Sequence, residues 1–168
     1  MEKKVAVIMG SDSDLPVAKK AFAELRAFQI PFEAHVMSAH RTPGTTAAFA
    51  AAAGDNGFGV LIAIAGMAAH LAGALAAQTT LPVIGVPCEG GAAGGLDALL
   101  STVQMPPGVP VATVALGAGA NAAILAAQIL ALSDERIALE LVRRKEAMRA
   151  GVSIKDHNLY EVLMKSSD

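Results

Sequence analysis

The chain has 168 residues, 54% of them hydrophobic, and thirteen Lys and Arg against fifteen Asp and Glu give a formal charge of −2. That length supports one domain with a core of its own, without disulfides or structural metal, and no stretch concentrates basic residues as a nucleic-acid track requires. A single cysteine, Cys88, excludes an internal disulfide and a cysteine-based zinc site and suits a reducing compartment.

Residues 5–9, VAVIM, form the first apolar run. It is too short for the core of a secretion signal, so a cytoplasmic protein is expected and the run reads as a strand. The turn that follows is GSDSDLP, Gly10 to Pro16. Gly10 lets backbone approach a ligand, while Ser11, Ser13 and Asp14 place hydroxyls and a carboxylate at a helix start, where unpaired amides favour an anion. The same residues serve equally as caps, with Ser13 or Asp14 before Leu15. The turn is neither a Walker loop nor a dinucleotide fingerprint. Val17, Ala18, Ala21, Phe22 and Leu25 predict a helix over 15–28.

A second strand is expected over 32–37, then SAHRTP, Ser38 to Pro43, then a helix over about 45–53. Pro43 fits a first helical turn and Thr42 could cap it. His40 and Arg41 need another reason. Arginine beside a helix start offers a planar fork to phosphate or carboxylate, and histidine can move a proton in either direction near neutral pH. Residues 60–65 predict a third strand, and AGMAAHLAG leads into a helix over 68–78 with His70 early in it and a wall of small residues against the same crevice. His35, within a strand, and His157, near the end, have no chemical neighbours in sequence. Strands over 82–87 and 109–116 and helices over 96–103 and 120–132 complete the alternation. Five such units predict right-handed βαβ crossovers and a parallel sheet buried on both faces. Cys88 follows the fourth strand with no base to activate it, and no cluster of His, Asp and Glu suggests a metal.

Two uncharged stretches, 59–77 and 109–132, are long enough to span a bilayer. Each divides into a β-branched run, a glycine turn and an alanine-rich run, so strand, turn and buried helix are expected rather than a membrane segment. From Asp134 the pattern becomes that of an amphipathic surface helix, with a second short helix over about 156–165 after Gly151.

The blocks MGSDSD, SAHRTP, AAHL, PVIGVP, GLDALLSTVQMP and GVPVATVALG, followed by NAAILAAQIL, stand in one order from about residue 5 to 132. Together they resemble the 5-(carboxyamino)imidazole ribonucleotide mutase family of purine biosynthesis. The resemblance implies a flavodoxin-like three-layer α/β sandwich with a five-stranded parallel sheet and a C-terminal helical extension. It implies a homo-octamer; one catalytic domain over 1–168 is expected, and the helices from about 134, which lie outside the five-stranded unit and beyond the resemblance, are expected to pack on neighbouring subunits or to cover their own sheet. A small nucleotide substrate is implied, with no cofactor, metal, nucleic acid or membrane. By the same likeness the catalytic histidine falls on His40, the substrate-contacting pair on Ser11 and Asp14, and the phosphate-binding arginine on Arg41. Ser13, Ser38 and Ala39 match further substrate-binding positions, and His70 and Leu71 match the segment lining the carboxylate pocket. Where that family usually has AGAGGAAHLPG this chain has AIAGMAAHLAG, with Ile64, Met67 and Ala72 in place of Gly, Gly and Pro. Three other readings remain: direct carboxylation of the aminoimidazole, whose enzymes usually carry AGRSN here; a carboxylase-hydrolase of nickel-pincer cofactor synthesis, which has an additional N-terminal region; and a nucleotide-binding module without turnover.

Overall fold

The computed structural model describes residues 3–91 and 93–165. Strands β1 (Lys4–Met9), β2 (Phe32–Val36), β3 (Phe58–Ala65), β4 (Val83–Pro87) and β5 (Ala112–Thr113) lie parallel in the order β2-β1-β3-β4-β5. The three inner strands are the purest apolar runs, and Val5, Ile8, Leu61, Ile62, Ile64 and Ile84 are fully buried. Burial on both faces is what such uninterrupted β-branched runs require. β2 is an edge strand with Val36 57% exposed, which explains its mixed sequence.

Among the described residues six α-helices connect and follow the strands: α1 (Leu15–Ala27), α2 (Pro43–Ala52), α3 (Leu71–Ala76), α4 (Leu96–Val103), α5 (Gly119–Leu130) and α6 (Glu135–Lys165). α1 and α5 pack together on one face of the sheet, and α2, α3 and α4 form the other layer. The alanine richness of α5 has a direct packing cause. A Cβ at Gly119 would run into the Val17 carbonyl oxygen of α1, and Ala122, Ala123, Ala126 and Ala127 are fully buried. Close approach of two helices replaces large side chains as the means of filling space.

Two expectations need correction. The fifth strand is two residues long, not eight, because Pro110 has no N–H to give the ladder and the strand has a partner on one side only. Pairing nevertheless continues past it, with Val114 N–H donating to the Gly85 carbonyl at 3.0 Å. Beyond residue 133 there is one helix of 31 residues rather than two. An isolated glycine inside a helix costs about 1 kcal/mol relative to alanine, and with no proline near Gly151 the helix passes through it.

The chain divides into two compact units, Met1–Leu130 and Ala131–Asp168. The first holds the sheet with α1 to α5. The second is α6, entered through Asp134, whose carboxylate accepts from the Ile137 N–H at 3.1 Å as an N-cap. No described helix is long and apolar enough to cross a membrane.

Candidate active site

In this strand order the chain builds outward from β1 in both directions, and the loops leaving the carboxyl ends of β1 and β3 open a crevice between them. A cleft of about 790 Å3 occupies that position. It draws Gly10, Ser11, Ser13 and Asp14 from the loop after β1, Ser38 to Arg41 from the loop after β2, and Gly66, Met67, Ala68, His70 and Leu71 from the β3–α3 connection. Cys88 to Gly91 close it from the end of β4. All nine residues singled out in the sequence, Ser11, Ser13, Asp14, Ser38, Ala39, His40, Arg41, His70 and Leu71, line this one cleft.

The first loop is held by a reciprocal cap. Ser11 N–H donates to the Asp14 carboxylate at 3.0 Å, and the Ser11 hydroxyl accepts from the Ser13 N–H at 3.4 Å. Ser11 is therefore the cap, of a short 3-10 turn over Asp12–Asp14, and neither Ser13 nor Asp14 caps α1 through its side chain. Asp14 is 8% exposed. Burial pushes its carboxyl above the usual carboxylate range, opposed by hydrogen bonds from the Ser11 and Gly10 backbone and the Cys88 thiol. The Cys88 thiol is itself pushed up to about 12, by burial first and then by the neighbouring Asp14 charge. It is a hydrogen-bond donor there rather than a nucleophile.

The second loop is closed by Thr42. Its hydroxyl donates to the Ser38 carbonyl at 3.1 Å and accepts from the Ser38 N–H at 3.0 Å, so it locks the turn and does not cap α2 as the sequence suggested. Pro43 takes the first-turn position expected for it. Ser38 Oγ accepts from both Arg41 N–H at 3.1 Å and Arg41 Nε at 3.4 Å, and Arg41 Nη2 donates to the Gly10 carbonyl at 3.2 Å. The guanidinium thus bridges the first two loops while remaining exposed to the cleft. From the third loop His70 reaches His40, with His40 Nε2 and His70 Nδ1 2.8 Å apart and the rings edge to face. At that distance one of the two facing nitrogens carries a proton and the other accepts it.

Lys20 was missed in the sequence. It lines the cleft and donates to the Gly117 carbonyl at 3.4 Å. The signal was present: Val17 and Lys20 are three apart, on one stripe of α1, and both line the cleft. Conversely, His35 stands against the Phe49 ring at 5.0 Å, and His157 is exposed on α6; neither lines the cleft. No group of three or more His, Cys, Asp or Glu able to hold a metal ion occurs among the described residues.

Of the three departures from the resembled pattern, Ile64 is fully buried and Ala72 is 3% exposed, so both belong to the core. Met67 alone lines the cleft, 69% exposed and with φ of 56°. Left-handed backbone costs an L-residue roughly 1–2 kcal/mol.

The profile of the family described as AIR carboxylase matches residues 4–151. The chain is 52% identical over 146 residues to an N5-carboxyaminoimidazole ribonucleotide mutase of Pyrococcus abyssi, covering 87% of this chain and 84% of the relative. It is 55% identical over 130 residues to a phosphoribosylaminoimidazole carboxylase of Saccharomyces cerevisiae, covering 77% of this chain but 23% of that protein. Among solved structures, Treponema denticola PurE superposes with a TM-score of 0.84 at 29% identity, covering 94% of this chain and 98% of the other.

Proposed function

The chain belongs to the AIR carboxylase family, and from that premise we propose that it acts as an N5-carboxyaminoimidazole ribonucleotide mutase of purine biosynthesis with His40 as its proton carrier. The observation that carries the mechanism is the His40–His70 contact at 2.8 Å. It sits in a cleft whose other walls offer an arginine fork, serine hydroxyls and a buried carboxylate.

Arg41 and the hydroxyls of Ser11, Ser13 and Ser38 bind the substrate phosphate, with Ala39 as an apolar contact beside it, and His70 and Leu71 line the carboxylate pocket. Asp14, held as a hydrogen-bond acceptor by Ser11 and Cys88, takes hydroxyl groups of the sugar. His40 then gives a proton to the exocyclic nitrogen as the N–C bond of the carbamate breaks, its electron pair staying on nitrogen. The products of that step are carbon dioxide and the free amine. The ring carbon, made nucleophilic by the amine, attacks carbon dioxide to form the new C–C bond. His40 removes the proton from that carbon, which restores the aromatic ring and the histidine together. One proton is given and one taken back, so the cycle balances without a second acid. His70 orients the His40 ring and shares its proton between the two steps. Keeping carbon dioxide beside its nucleophile replaces a bimolecular encounter, where effective molarities reach about 10⁵ to 10⁸ M.

The second reading, direct carboxylation of the aminoimidazole, is favoured by the name of the yeast relative, but only 23% of that protein is matched. Bicarbonate separates the two. A mutase brings its carbon dioxide in on the substrate, so added bicarbonate should scarcely change the forward rate from the N-carboxy compound. The mutase reading is overturned if the protein carboxylates free aminoimidazole ribonucleotide in proportion to dissolved carbon dioxide and leaves the N-carboxy substrate to its uncatalysed decay.

The assembly is an oligomer, and an octamer is the form proposed. Support comes from unpartnered apolar surface. Leu96, Leu100 and Val103 form an i, i+4, i+7 stripe on α4 at 53%, 47% and 46% exposure, and Met148 and Val152 on α6 are 64% and 66% exposed. Contiguous patches of this kind mark protein contacts. Sedimentation of the purified chain at micromolar concentration should show a single large species, and a stable, active monomer would refute the proposal. A single cysteine and a diffusible nucleotide substrate suit a cytoplasmic enzyme.

A further inference from the structure

We infer that Met67 covers the heteroaromatic ring of the bound ribonucleotide and retains carbon dioxide during transfer, an inference that rests on the mutase reading of the same cleft. Met67 stands in the connection between β3 and α3, three residues before His70, and lines the cleft. Its φ of 56° lies in the region that disfavours a side chain, and at 69% exposure it packs against little of its own chain. Backbone strain at a functional site persists where the strained residue has a task.

The chemistry of the reaction supplies one. Once the carbamate bond has broken, carbon dioxide is small, uncharged and a poor hydrogen-bond acceptor. Arg41, the serines and Asp14 hold the sugar phosphate, and nothing in their chemistry holds carbon dioxide. Steric walls alone can do so. In the stretch of lining that precedes His70 in the chain, Ala65, Gly66 and Ala68 are residues with one side-chain carbon or none. Met67 is the one long side chain in that segment of the wall. A thioether is flexible and polarizable and packs well against the edge of an aromatic ring, which the aminoimidazole provides. The left-handed backbone is therefore a consequence of placing a long, adaptable side chain in a segment otherwise built for close backbone approach.

The test uses the full-length protein with Met67→Ala, Met67→Gly and Met67→Leu. Three quantities are measured: affinity for the ring-carboxylated product, affinity for ribose 5-phosphate, and free aminoimidazole ribonucleotide released per product formed from the N-carboxy substrate. The Ala and Gly variants should bind product about tenfold more weakly, equivalent to roughly 1.4 kcal/mol. Ribose 5-phosphate affinity should not change, and released amine should rise several-fold. The Leu variant, similar in volume, should restore most of both effects. Met67→Gly should also melt at a higher temperature than Met67→Ala, since only glycine relieves the strained backbone. Equal product affinity and equal release in wild type and Met67→Ala would overturn the inference. So would a changed sedimentation coefficient, which would place the side chain in a subunit contact instead. If the wild type fails to isomerise its substrate, the mutase reading fails, yet the comparison of product with ribose 5-phosphate still reads the ring contact by itself.

Discussion

His40→Asn should lose turnover while keeping fold and ligand binding. The side chain is exposed and contributes no core packing, and asparagine keeps a polar side chain of roughly similar size, its amide ending about where His40 Nδ1 stands and short of His70 Nδ1. What it cannot do is exchange a proton. Removal of one general acid or base costs about 10² to 10⁴ in rate. In the proposed cycle the same ring acts once as acid and once as base, so the loss belongs at or beyond the upper end of that range. Because His40 acts in the chemical steps and Arg41 in binding, kcat should carry the loss and product affinity should stay within a few-fold of wild type. Single-turnover rates and product titration measure the two separately. Activity of the variant within tenfold of wild type would remove His40 from the mechanism.

Much of this site was legible because its chemistry is carried by short turns. The inner strands were marked by unbroken apolar runs, β2 by a mixed one, and each turn by glycine, serine or proline, so placing GSDSD and SAHRTP at strand ends followed from local patterning alone. The contacts between turns were not legible in that way. His40 and His70 are thirty residues apart, and they meet because β2 and β3 are the two neighbours of β1. Strand order is a tertiary property that alternation does not encode. The same holds for Arg41, whose bond to the Gly10 carbonyl depends on β2 lying beside β1.

Other discrepancies come from competition between local effects. Thr42 stands where a cap is expected, but its hydroxyl is taken by both backbone groups of Ser38. Gly151 resembles a break, yet an isolated glycine costs only about 1 kcal/mol relative to alanine and no proline stands near it to stop the helix. Met67 shows the limit most clearly. Its residue type says nothing about a positive φ, and only the backbone distinguishes it from Ile64 and Ala72, two substitutions in the same segment that belong to the core.

Arg41→Ala should chiefly weaken binding of the phosphorylated substrate. The guanidinium is already tied to the Gly10 carbonyl and the Ser38 hydroxyl, so little side-chain freedom remains to be lost when an anion arrives. Its removal should leave the turn intact, because Ser38 Oγ keeps the Arg41 backbone N–H as a donor and Thr42 still closes the loop. Hydrogen bonds to a charged group contribute about 1.5–3 kcal/mol, which converts to a rise of roughly 10- to 150-fold in the dissociation constant. Turnover at saturating substrate should fall far less, since the phosphate contact is made equally in ground and transition states. Arg41→Lys keeps the charge but not the fork, so it should recover part of the affinity and be more sensitive to salt. The decisive comparison is between nucleotide and unphosphorylated nucleoside. A fork that reads phosphate makes the variant lose affinity for the first and not for the second, whereas equal losses would assign Arg41 to the sugar or the ring.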